Sequence, residues 1–261
     1  MARPRVKWFG VDDSTWVLAG DGMTSNGVML TAVSGLVASP SRKITPSTTG
    51  VGVEFGRSTW PMLEGELKCR VYARKDETVQ DTYSHFLASF STFSPGRLSI
   101  SMTGQAEWEA ECLLKESIGA PEKSPAASGL ISLDVEIPLI CNAGAFSSPV
   151  ERIFDSKAIV RNIGDLPLFP NVVWSGAGQT VRLPNGVLVT LPTVSGERVL
   201  STDPGRGYVV TDRAGKPDKA AWASLRGLAV PGETLPGNAT SWELSSGVHL
   251  EVVQRRENPW R

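Results

Sequence analysis

Between residues 131 and 139, apolar and other side chains alternate without a break. Ile131, Leu133, Val135, Ile137 and Leu139 fall on one face, with Ser132, Asp134, Glu136 and Pro138 on the other. A period of two marks a strand with one face in a core and the other in water. The pattern recurs at Leu67, Cys69 and Val71, at Leu98, Ile100 and Met102, and at Trp108, Ala110, Cys112 and Leu114. A chain written this way folds into sheets. Its 26 glycines and 18 prolines, together about 17% of residues against a usual ~12%, supply the turns.

One segment breaks the period. Val79, Tyr83, Phe86 and Phe90, with Leu87 beside them, recur at spacings of three and four. That predicts a helix over 77–92, with Asp76 as N-cap and Ser94-Pro95-Gly96 as its stop. Polar stretches at 39–43, 45–50 and 121–129 read as exposed loops. Small and turn-forming residues over 141–149 predict a boundary, giving domains 1–148 and 149–261. The second half reads as short strands alone. Pro184-Asn185-Gly186 between two of them is a strong hairpin signal, and the spacing fits a β-sandwich.

Chemistry-bearing patterns are scarce. With 26 basic and 27 acidic residues the net charge is -1, which offers no grip on nucleic acid or an anionic membrane. Cys69, Cys112 and Cys141 are far apart, lack CxxC spacing and sit in apolar strands, so each reads as a small buried hydrophobe. His85 and His249 form no metal-ligand spacing. Both are expected to face solvent, His249 because it is out of phase with Val248 and Leu250. No nucleophile elbow, phosphate loop or dinucleotide fingerprint is present. Glu107, Glu109 and Glu111 read as the wet face of a strand rather than calcium ligands, and Asp12-Asp13 and Glu64/Glu66 as solvated acids. The basic start leads into no apolar leader, and no run approaches the ~18 apolar residues of a membrane span. A reducing cytoplasm is therefore the expected place of folding. No catalytic, cofactor-binding or metal-ligating residue is assigned, and no cofactor is expected. Eight tryptophans raise an aromatic platform for sugars, with Trp174, Trp222 and Trp242 as candidates against the default of core packing.

The stretch Asn162-Ile-Gly164-Asp165-Leu-Pro-Leu-Phe-Pro170-Asn-Val-Val-Trp-Ser-Gly176 resembles the opening of the C-terminal domain in siphophage distal tail proteins. The order that follows is also similar: the Asn-Gly hairpin, the Thr202-Asp203 pair, Tyr208-Val-Val210, Trp222-Ala-Ser-Leu225, and the Leu235-Pro236-Gly237-Asn238 turn, for which Val230-Pro231-Gly232 competes. The resemblance implies a mainly β chain. It has an N-terminal β-sandwich or split-barrel-like ring domain with one helix, followed by a C-terminal galectin-like β-sandwich. It further implies a structural virion protein, a homohexameric hub ring that joins the tail tube protein to tail-tip hub and receptor-binding proteins. Such a protein sits at the virion tail tip after assembly in the host cytoplasm, without catalysis, sequence-specific nucleic acid or membrane insertion. Host surface glycans are a further partner that it allows.

Two other readings stand beside it. A stand-alone carbohydrate-binding β-sandwich adhesin would use an exposed Trp174 or Trp222. A glycoside hydrolase would use acids such as Asp203 and Glu233, separated across a cleft.

Overall fold

The computed structural model describes residues 4–48, 51–121, 129–228 and 230–261. The chain divides into two compact units. One contains the residues up to Ser147 together with Arg256–Arg261, and the other is Ser148–Arg255.

The first unit contains β1 (Pro4–Phe9), β2 (Thr15–Ala19), β3 (Val28–Gly35), β4 (Ser41–Pro46), β5 (Val53–Thr59), β6 (Leu63–Tyr72), α1 (Val79–Ala88), β7 (Gly96–Met102), β8 (Glu107–Leu114), β9 (Ser132–Cys141) and β10 (Phe146–Ser147). Its main sheet runs β2-β1-β7-β8-β9-β6-β3. The two ends of that path, β2 and β3, approach one another, so the sheet curls toward a split barrel. The alternation read from sequence places Leu133, Val135, Ile137, Leu139 and Cys141 of β9 in the core beside Leu67, Cys69 and Val71 of β6. Ile131 precedes the strand and is exposed.

Helix α1 is shorter than the predicted 77–92, and its N-cap is Thr78 rather than Asp76. Asp76 takes a left-handed φ of 65°, which lies outside helical geometry. The Thr78 hydroxyl accepts from the Asp81 N–H, while Asp81 accepts from the Thr78 N–H, a reciprocal capping box. The predicted apolar stripe turns inward: Val79, Tyr83, Phe86 and Phe90 all join the core. Phe90 stacks on Trp8 with centroids 4.5 Å apart, and the Trp8 indole N–H donates to Ser89 Oγ. Trp8 and Trp108 are both fully buried. At about 25 cal/mol per Å² over 150–250 Å² each, they rank among the largest single contributions to this core.

Residues 41–46, all but Ile44 within the loops expected at 39–43 and 45–50, form β4. It pairs with β5 in a separate two-stranded ribbon. Polar composition hid it, because β4 lies against no core and shows no buried alternation. Of the expected loop at 45–50, residues 49–50 lie outside the described residues, as do 122–128 of the one at 121–129.

The sequence places 149–261 in one domain, whereas the structure returns Arg256–Arg261 to the first unit. Apolar burial and hydrogen bonding bring them there. Trp260 packs on the first unit's core, the Ala38 N–H donates to the Glu257 carbonyl, and the Trp60 indole donates to Glu257 Oε1 at 2.9 Å. The Arg256 guanidinium lies 4.6 Å from the centre of the Trp108 ring.

The second unit contains β11 (Glu151–Ile153), β12 (Lys157–Arg161), β13 (Asn171–Gly176), β14 (Thr180–Arg182), β15 (Leu188–Thr190), β16 (Val194–Ser201), β17 (Val210–Asp212), α2 (Lys219–Ser224), β18 (Ala239–Leu244) and β19 (Val248–Val252). Two sheets, β11-β19-β13-β16-β17 and β12-β18-β14-β15, enclose a core that includes Val160, Val172, Trp174, Val181, Leu200, Trp242 and Leu250. This is a β-sandwich. The Asn185-Gly186 hairpin joins β14 to β15 as predicted, with Gly186 at φ 86° where a side chain would be strained. Short α2, capped by Asp218, is an element that the sequence reading lacks. The whole chain is thus mainly β, with helix confined to small pieces.

Candidate functional site

The residues that sequence reasoning singled out do not converge. Trp174 and Trp242 are buried in the sandwich core, so neither is a sugar platform. Their register explains it: each shares a face with core residues of its own strand, Val172 for one and Leu244 for the other. Trp222 is half-buried, its indole donating to the Gly207 carbonyl. Asp203 caps a 3-10 turn by accepting from the Gly205 N–H at 2.8 Å, while Glu233 is exposed. Glu64 pairs with Lys115 and Glu66 with Lys68. Glu107 pairs with Lys7 and Glu109 with Arg97. Asp12 accepts from both the Ser14 N–H and its hydroxyl. All three cysteines are buried and unbridged, and burial pushes the Cys69 thiol up to about 12. Such thiols are unreactive. His85 is at the surface beside Glu77. Among the described residues no helix is long and apolar enough to cross a membrane.

His249 is the exception. The sequence expects it in solvent, yet it is only 8% exposed. Its phase is right: it lies on the outer face of β19, opposite core residues Val248 and Leu250. That face is covered. The Phe154 ring, itself 68% exposed, stacks on the imidazole with centroids 4.7 Å apart and planes 27° apart. Burial pushes the His249 imidazole below its ordinary 6.5, partly countered by Glu251. Next to it Glu251 Oε1 accepts from Arg152 Nε at 3.0 Å and from Arg213 Nη1 at 2.7 Å, and Arg213 Nε also donates to Glu197 Oε2 at 2.7 Å. Burial raises the Glu251 carboxyl, but the Arg213 and Arg152 hydrogen bonds outweigh it and hold it below the usual carboxylate range. Arg152, Phe154, Glu197, Arg213 and His249 line a groove of about 730 Å³ with Ser156, Ser175, Ser245 and Ser246. Sequence reasoning missed Arg152, Phe154, Glu197, Arg213 and Glu251. The only signal was the shared phase of His249 and Glu251.

A second surface belongs to the first unit. In the β4–β5 ribbon Ile44 faces Phe55 and Pro46 faces Val53 across the ladder. Spacing of two puts all four on one face, and Ile44 and Phe55 are 58% and 65% exposed. An isolated two-stranded ribbon with an uncovered apolar face is marginal in water.

The residues that carry the family resemblance form a clasp instead of a binding site. Buried Asn162 donates through Nδ2 to the carbonyls of Leu166 and Thr234, and its Oδ1 accepts from the Gly164 N–H. Gly164 presses so closely on Arg255 that a Cβ would lie 2.2 Å from its carbonyl oxygen. Thr202 donates to the Pro170 carbonyl. The Leu235–Asn238 turn closes on Asn162, with the Asn162 N–H donating to Asn238 and the Gly237 N–H to Asn162.

No protein-family model matches the sequence, and no curated protein sequence does. Solved structures do match. The crystal structure of the SPP1 Dit (gp 19.1) protein, described as a paradigm of the hub adsorption apparatus in phages infecting Gram-positive hosts, superposes with a TM-score of 0.58. The match covers 97% of this chain and 98% of that one at 12% identity. The chain has the Dit fold. A chain in the phage P2 baseplate, solved in its activated conformation with Ca, matches over the same shares at 11% identity and a TM-score of 0.50. The likeness to the Dit fold spans both units.

Proposed function

We propose that this chain is a structural protein of a long non-contractile phage tail, a distal tail protein that closes into a homohexameric ring. The ring joins the tail tube to the tail-tip hub and receptor-binding proteins, and it is assembled in the host cytoplasm before it becomes part of the virion. The observation that carries the reading is coverage: 97% of this chain and 98% of SPP1 Dit superpose, so the likeness extends over both units rather than one module. The β4–β5 ribbon supports self-association. Its apolar face finds no core within its own strand pair, and a neighbouring copy in a ring supplies one. The function is assembly rather than turnover. Of the two acids the hydrolase reading uses, Asp203 is engaged in a turn cap, and the paired acids Glu64 and Glu66 are held by different lysines.

Antibody labelling of intact virions tests this directly. Label at the junction of tube and tip is expected. Virions that carry no label, or carry it on the capsid, would overturn the reading.

A further inference from the structure

The outer groove of the second unit has a composition that points to a ligand class. Its charged lining is Arg152, Arg213 and Glu197, and Glu251, hydrogen-bonded to both arginines, completes a set of two cations and two anions. The set carries no net charge, so neither an anion nor a cation gains by entering. It does hold donors and acceptors side by side in fixed positions, with four serine hydroxyls around them. A sugar hydroxyl both donates and accepts, and matches such a surface. At one end the exposed Phe154 ring offers an apolar face, and stacking on His249 fixes its orientation. Beneath it, His249 Nε2 is buried without a hydrogen-bond partner, although buried polar atoms are rarely left so. The volume, about 730 Å³, lies within the range of small-molecule sites.

We propose that this groove binds a neutral saccharide, seating the C–H face of one pyranose ring on Phe154 and hydrogen-bonding its hydroxyls through Arg152, Arg213 and Glu197. The site differs from the tryptophan platform weighed against core packing, since Trp174 is buried in the core on the other face of the same sheet. It needs no ring. All its residues come from one unit of one chain, so it stands or falls separately from the hub reading.

The test is an array of immobilised neutral oligosaccharides carrying sialylated and phosphorylated glycans as comparison, followed by calorimetry with the best-binding disaccharide. Binding to neutral glycans that persists at high salt is expected. Phe154→Ala and Glu197→Gln should each weaken it about tenfold or more, with both variants still unfolding cooperatively. Trp222→Ala should leave it intact. Absence of any neutral-glycan binding, binding only to the acidic glycans, or full affinity in Phe154→Ala would each overturn the proposal.

Discussion

The Asn162 side chain reaches Thr234 across 72 positions of sequence, its Nδ2 lying 2.7 Å from the Thr234 carbonyl oxygen. The same amide holds Leu166 and Gly164. It thus satisfies three backbone groups in a place where Asn162 is only 1% exposed. Asn162→Ala strands those groups, and a loss of about 3 kcal/mol is expected. Asn162→Asp should do no better, because a carboxylate would face two carbonyl oxygens. Urea unfolding of both variants checks this.

The capping box at α1 makes a smaller and separable claim. Thr78→Ala removes the acceptor for the Asp81 N–H and should cost about 1 kcal/mol. Asp76→Ala, at the position favoured by sequence, should change stability far less. Comparison of the two urea midpoints distinguishes the caps.

His249 gives the second unit a pH dependence of known sign. Burial lowers its native proton affinity, Arg213 and Arg152 lower it further, and Glu251 and Glu197 partly offset them. The unfolded chain therefore binds the proton more tightly. Stability is fully present above the ordinary value of 6.5 and is lost as pH falls below it toward the depressed native value. Unfolding of the wild type across that window should show the fall, and His249→Gln should flatten it. A wild type whose stability is level there would contradict the burial argument.

The ribbon prediction concerns assembly alone. Ile44→Ser with Phe55→Ser alters two exposed side chains on β4 and β5, so the fold and the unfolding midpoint should hold. Self-association should weaken at least tenfold, because apolar contact area is what the substitution removes. Sedimentation velocity of the double variant against the wild type checks both halves of the statement.

Strands packed on a core were legible because burial of one face writes a period of two into the residues, as in β6, β8 and β9. The stripe of α1 was legible for the same reason at a different period. β4 was not, since it lies against no core and its two apolar residues, Ile44 and Pro46, are too few to stand out as a period of two. The groove was not legible either. Arg152, Glu197, Arg213 and Glu251 come from or adjoin strands whose order in the sheet departs from their order in the chain, and Arg152 and Glu251 lie 99 positions apart. Core packing, the default reading for Trp174 and Trp242, holds, because their strands turn both inward. The family motif was visible in sequence, yet its residues act in folding, where Asn162 and Gly164 are demanded by hydrogen bonding and close approach.

The central claim is that copies of this chain close into a ring, and the most direct test is solution mass by multi-angle light scattering over a wide concentration range. A single species of six protomers, each 28.0 kDa, is expected, with a sixfold annulus in images of the same peak. A mass of one chain at every concentration, or an open series of growing oligomers, would contradict it.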